Sequence, residues 1–181
     1  LENVRAALER DCLRNNLMLG VVHRLATGYS YGKEPPYFAT IDDDDGPLLM
    51  AVMTPPRRLL LSGDDATVTA ALEMLATDLA DVHPHATGVL ATKRLSRGFA
   101  ARWERITGVG AGIRMNQRLY HLTRIKHSGE AKGGMRQASR DDLRLLAGWA
   151  HAMSIDVKER VSRVTARRNV SELIERGRLY V

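Results

Sequence analysis

RITGVG, residues 105–110, decides how the chain is read. It spells R-x-x-G-x-G. Such a string holds a phosphate when a strand leads in and a helix leads out, because consecutive backbone N–H groups and the helix N-terminus then point at the anion. Here the predicted order is reversed. KRLSRGFAARWERITG (93–108) sets Phe99, Trp103 and Ile106 on one helical face. IRMNQRLYHLTRI (113–125) alternates over Ile113, Met115, Leu119 and Tyr120 and predicts a long strand. A helix C-terminus presents carbonyls and a partial negative charge, which repels phosphate. Gly108, Gly110 and Gly112 are therefore expected to be a helix stop and connector.

Upstream, residues 2–27 read as one helix, with Val4, Leu8 and Cys12 at four-residue spacing, then Leu17, Val21, Val22 and Leu25, and Gly28 as its stop. Cys12 is expected as inert packing on the apolar face. YFATID and PLLMAVMT predict a hairpin over 37–53. DDDDG between them is a turn, since adjacent carboxylates repel and Gly46 supplies positive φ; the distal Glu of a calcium loop is missing. Pro55 and Pro56 stop the ladder and RRLLLSG forms a third strand. DDATVTAALEMLATDLADVH predicts a helix capped by Asp64 or Asp65, with Val68, Leu72, Leu75 and Leu79 on one face. TGVLAT predicts a buried strand.

Downstream, KHSGEAKGG (126–134) is polar and Gly-rich and reads as a linker. The pattern then restarts. MRQAS is strand-like, and Ser139 or Asp141 caps a helix carrying Leu143, Leu146, Trp149, Ala150 and Met153. SRVTARRNVSELIERGR predicts a second helix, with Val164, Leu173 and Ile174 as its apolar residues, and LYV a strand. The fold class is thus α+β: a mixed sheet flanked by helices over 1–125, the linker 126–134, and an incomplete second unit over 135–181.

With 181 residues the chain is long enough to bury a core without covalent staples. Its one cysteine excludes an internal disulfide and a cysteine-based zinc site, so a reducing, cytoplasmic setting is expected. No apolar run reaches the ~18–20 residues of a membrane span, and the first residues lack the apolar core of a signal peptide. The chain begins with Leu1, which suggests a trimmed N-terminus. The net charge of +6 admits an anionic partner, but the cations are spread along the chain, as on a solvated surface. His83 and His85 in HPH have no nameable third ligand, so no metal site is expected. His23, His121 and His151 stand alone. Tyr29, Tyr31 and Tyr37 flank a Pro-rich loop and are candidates for lining a pocket. No G-x-S-x-G or Walker-type loop occurs.

Taken in order, NNLMLGVVHRLA, MTPPRRLLLSG, FAARWERITG, RLYHL and GGMRQASRDDLRLLAGWAHAM resemble a family of two-domain bacterial GNAT-type N-acetyltransferases, over nearly the whole chain. The resemblance implies a GNAT-like N-terminal half, then the first strand and two helices of a catalytic GNAT domain. RITGVG would lie in the N-terminal half and not be the cofactor loop. The acetyl-CoA site and the general acid would lie beyond Val181, leaving no catalytic or cofactor-binding residue in this chain. The turn after the first catalytic helix, MSIDVKERVS, would border the acceptor amine, with Met153 and Asp156 as substrate-lining residues and Asp156 orienting an ammonium. The N-terminal half would pack on the catalytic half or mediate a homo-oligomer. Two other readings stand beside this one. Arg163, Arg167 and Arg168 on a helix ended by Gly177, followed by a wing-like strand, suit a winged-helix DNA-binding regulator. The remaining reading is an interaction domain without chemistry. No membrane association and no sequence-specific nucleic acid are expected under the acetyltransferase reading.

Overall fold

A computed structural model describes residues 2–64, 69–126 and 133–181. It is mixed α+β, and the chain divides into two compact units, Leu1–Thr123 and Arg124–Val181. Asp65, Val68 and most of the expected linker lie outside the described residues.

The first unit runs α1 (Glu2–Glu9), α2 (Asn16–Ala26), β1 (Tyr37–Asp43), β2 (Gly46–Met53), β3 (Leu59–Gly63), α3 (Thr69–Val82), β4 (Val89–Leu90) and α4 (Lys93–Thr107). The sheet order is β1-β2-β3-β4. The first three strands are antiparallel neighbours, and β4 pairs parallel to β3 after the crossover through α3. At the hairpin tip Asp43 pairs with Gly46, whose φ of 116° suits glycine, and the Asp45 amide donates to Asp43 Oδ1 at 3.0 Å. β2 sends Leu49, Ala51 and Met53 into a core completed by α3 and α4. Met50 and Val52 face Leu8 and Met18 of the α1–α2 layer. The successive apolar residues of β2 are thus buried on both sides.

The single helix expected over 2–27 is instead two helices broken at 10–15. Its DCLRNN sequence supplies side chains that compete for backbone partners: Asp11 Oδ1 accepts from the Arg14 amide at 3.0 Å, and Asn16 Nδ2 donates to the Leu13 carbonyl at 2.7 Å. Asn15 is buried in the break. Its Nδ2 donates to the Leu8 carbonyl at 3.0 Å and its Oδ1 accepts from Ser62 Oγ at 2.6 Å. Cys12, expected in packing, is exposed because the break turns it outward. The strand expected over 87–92 is only two partly buried residues long, since Thr92 already caps α4 by accepting from the Leu95 amide. The long strand expected over 113–125 is absent. That segment is exposed throughout and pairs with no strand among the described residues. β4, with two paired residues, offers it no edge of useful length.

The second unit contains α5 (Leu143–Asp156) and α6 (Arg163–Glu175). The strand-like ends meet. Gln137 bridges Tyr180 antiparallel, with reciprocal backbone bonds between Arg136 and Val181 at 2.9 and 2.8 Å. Ala138, Leu146 and Val170 form the core, with Leu143, Ala150, Ile174 and Leu179 packed on it. Trp149 and Met153, expected on the same apolar face as Leu146, are instead 59% and 66% exposed. Leu146 and Ala150 are four residues apart and take the inward stripe, and Trp149 falls outside it. On α6, Val164 is likewise exposed while Val170 is buried. Ahead of α5, Asp142 accepts from Arg136 Nη1 and Nη2 at 2.7 and 2.8 Å and from the Ser139 amide at 2.8 Å, closing a capping box. The two guanidinium bonds, then the amide bond, hold the Asp142 carboxyl well below the usual carboxylate range.

Two outcomes follow from these contacts. Asn15→Ala leaves the buried Leu8 carbonyl and Ser62 hydroxyl without their partner, and should destabilise the first unit by about 1–3 kcal/mol in urea titrations. Asp142 has a depressed folded pKa, so its contribution is complete above the unfolded value near ~4 and is lost as pH falls below it toward the folded value. Urea midpoints measured by circular dichroism should decline with acid in that window. Asp142→Asn should remove that part of the decline, and an unchanged pH profile would refute the assignment.

Candidate functional site

RITGVG is a helix end. Gly108 sits at φ 72° in the left-handed C-cap position and its amide donates to the Glu104 carbonyl at 2.9 Å. The Ala111 amide donates to Glu104 Oε1, and Arg105 is paired with Glu73 on α3. The arginine and glycines of the string thus complete the helix and its exit, and they do not converge on an anion position. The unit's longest strand-to-helix passage, from β3 to α3, carries Asp64 and Asp65 in sequence. Carboxylates there oppose a pyrophosphate.

The turn from α5 to α6 is the part of the second unit best organised as a site. Ser154 is buried. Its Oγ donates to the His151 carbonyl at 2.7 Å and accepts from the Val161 amide at 3.2 Å, while its carbonyl accepts from the amides of Glu159 and Arg160 at 2.8 and 3.1 Å. His151 Nδ1 lies 2.9 Å from the Val161 carbonyl. This contact fits an Nδ1–H donor and gives His151 a structural partner. Ser162 then caps α6 by accepting from the Thr165 amide at 3.1 Å. Lys158 and Arg160 take φ of 58° and 49°, unusual for residues with side chains. Met153 and Asp156 are three residues apart at the end of α5 and both are exposed. The turn therefore presents a thioether and a carboxylate side by side on a fixed backbone. Sequence reasoning placed these two residues. It missed His151 and Ser154 as the groups that fix the turn, because the signal is a contact across seven to ten residues.

A second concavity, about 340 Å³, lies in the first unit and is lined by Glu34, Met53, Arg57, His83 and His85 among others. Tyr37 stands beside it, edge-on to His83 with ring centroids 5.7 Å apart, and donates to Asp78 Oδ2 at 2.6 Å. Burial first, and then this hydrogen bond, push the Tyr37 phenol well above its ordinary pKa, so it is a donor and not a base at neutral pH. Tyr29 and Tyr31 form a separate edge-on pair at 4.9 Å, and the Arg57 guanidinium lies 5.0 Å over the Tyr31 ring. The three tyrosines are thus not brought into one pocket. Gly32 touches the Pro55 carbonyl so closely that a Cβ has no room, which holds the tyrosine loop against the cleft. Among the described residues no group of three or more His, Cys, Asp or Glu is placed to hold a metal, and no helix is long and apolar enough to cross a membrane.

No family model, no curated protein and no solved structure matches the chain.

The C-cap geometry makes one expectation specific. Gly108→Ala should destabilise the first unit by about 1–2 kcal/mol, the penalty of a left-handed residue with a side chain. It should leave any acetyl-CoA affinity of a protein containing this chain unchanged. Calorimetric titration of the folded variant checks this, and a selective loss of affinity would restore RITGVG as a cofactor loop.

Proposed function

We propose that this chain is the N-terminal portion of an acetyl-CoA-dependent N-acetyltransferase of the two-domain GNAT type, which transfers acetyl to a primary amine. In this reading the first unit is a degenerate, non-catalytic GNAT-like half. The second unit supplies the acceptor side of the catalytic half. The observation that carries the reading is the order of elements. The first unit has two helices, an antiparallel three-stranded meander, a crossover helix, a parallel fourth strand and a closing helix. The second unit begins the same order again, with two helices followed by a strand-like segment. Acetyl-CoA would supply a thioester whose carbonyl the amine attacks, with the CoA thiol leaving. In the acceptor role, Asp156 would hold the ammonium by charge and Met153 would give an apolar wall beside it; the ammonium must then lose a proton, to a base outside this chain, before the amine lone pair attacks. In this reading the cofactor site lies beyond Val181, which is supported by RITGVG ending a helix and not opening one.

The exposed Arg163, Arg167 and Arg168 on α6 are what favour the DNA-binding alternative. Against it, the described residues of the second unit form two α-helices and a single bridge where a winged helix needs three helices.

Residues 1–181 should show no saturable acetyl-CoA binding by calorimetry. The complete gene product should release CoA thiol when given acetyl-CoA and a panel of amines. Asp156→Asn in that product should raise KM for the amine about tenfold, near 1.4 kcal/mol, with a smaller change in kcat. No thiol release with any amine would overturn the reading. Nanomolar, salt-sensitive binding to a defined duplex would move it to the alternative.

A further inference from the structure

Residues 113–125 are the largest feature that the proposed activity does not use. Ile113, Met115, Leu119, Tyr120, Leu122 and Ile125 are all exposed, Tyr120 to 81%. Extended, the segment has two unlike faces. Odd positions carry Ile113, Met115, Leu119 and Ile125 with the uncharged polar Gln117 and Thr123 and with His121; even positions carry Arg114, Arg118 and Arg124 with Asn116, Tyr120 and Leu122. From residue 109 to 126 there is no acidic residue. An extended segment gains backbone hydrogen bonds when it joins the edge of a sheet.

The same unit holds an open edge that matches it. Among the described residues β1 pairs with β2 alone, which leaves its other side as the edge of the sheet over seven residues. Its odd positions, Tyr37, Ala39 and Ile41, belong to the core shared with α3 and α4. Its even positions are Phe38, 50% exposed, then Thr40 and Asp42, and the edge ends in the four carboxylates of residues 42–45. An apolar cleft of about 230 Å³ lies beside Phe38, lined by Val4, Leu8, Met18 and Val22 on the helical side. The parity is complementary. The face without arginines, which carries Ile113, Met115, Leu119 and Ile125, meets the core side of β1, while the three arginines share the side of Asp42 and Phe38. Within one copy the segment leaves α4, which packs on β3 and β4, at the end of the sheet order away from β1. In the copy described, the segment is exposed throughout and is not paired with β1, so a second copy is the partner that brings the two together.

We propose that residues 113–125 add as a strand to the β1 edge of a second copy of this chain, and receive that copy's segment on their own β1 in return. The exchange makes two identical contacts and closes as a two-fold dimer. The apolar odd face of the segment, paired with the acidic tip of the edge, favours this occupant over nucleic acid, which would be repelled by residues 42–45.

Sedimentation velocity on the whole chain tests the exchange at low and high salt. A concentration-dependent dimer that weakens with salt is expected. Asp42→Lys with Asp43→Lys should weaken it at least tenfold, as should Arg118→Asp with Arg124→Asp in a separate chain. Mixing these two variants should restore dimers, because each segment then meets an edge of opposite charge. All four residues are exposed, and circular dichroism verifies that each variant folds. Leu119→Asp should abolish the dimer at any salt. A chain that stays monomeric at its highest soluble concentration in low salt overturns the proposal. So does a dimer unaffected by these substitutions, or a mixture that fails to restore it. A monomeric chain retained on single-stranded DNA through Arg118 and Arg124 would assign the segment to nucleic acid and overturn it too.

Discussion

Burial of β2 on both faces is the constraint from which the first unit is built. Leu49, Ala51 and Met53 face one way, and Met50 and Val52 the other. A strand of this kind cannot leave either side to water, so helices must cover both. The α3–α4 side has ample means, with Leu72, Leu75, Leu79, Leu95, Phe99 and Trp103 all buried. The α1–α2 side is thinner, with Leu8 and Met18 as its buried apolar residues. A polar pin joins that layer to the sheet. Asn15 in the helix break is bonded at once to the Leu8 carbonyl and to Ser62 on β3. The break is therefore part of how the second face is closed. A continuous helix would lose these contacts.

Features governed by neighbours in sequence were legible from residues. The hairpin followed from two apolar runs around DDDDG, the end of α4 from Gly108, and the start of α6 from Ser162. Features governed by distant partners were not. The spacing of Val4, Leu8 and Cys12 is satisfied by one helix or by a helix and a turn, and only the bonds of Asn15 to Leu8 and Ser62 decide between them. Alternation over 113–125 predicted a strand, but a strand exists only beside an edge, and β4 provides two residues of one. Trp149 and Met153 matched an apolar stripe by composition, and the narrower stripe through Leu146 and Ala150 won. At the candidate site, Met153 and Asp156 could be placed at a helix end from sequence. The cleft uniting Glu34, Arg57 and His83 could not, because it is assembled from three separate segments.

Charged contacts differ between the two units. In the first, three arginines have internal partners: Arg105 pairs with Glu73, Arg102 with the Gly98 carbonyl, and Arg57 lies over the Tyr31 ring. The passage into α3 carries Asp64 and Asp65. In the second unit a tight charged contact, Arg136 with Asp142, fixes the entry to α5 at the end away from Met153 and Asp156.

That far end carries an unusual backbone. Lys158 and Arg160 both occupy the left-handed region, each at a penalty of about 1–2 kcal/mol that glycine would avoid. The turn persists because it is over-determined: the Ser154 hydroxyl and carbonyl together engage Val161, Glu159 and Arg160, and His151 holds Val161 from the preceding turn of helix. A turn needed only to reverse the chain has simpler solutions. The strained one sets two cationic side chains beyond Asp156 and fixes the direction in which α6 leaves its Ser162 cap. Asp156 stands exposed at the end of α5, immediately before this bonded turn. In the proposed acceptor role a carboxylate ordered by folding need not be ordered again at each encounter with an ammonium, and the bonds of Ser154 and His151 are what would supply that order.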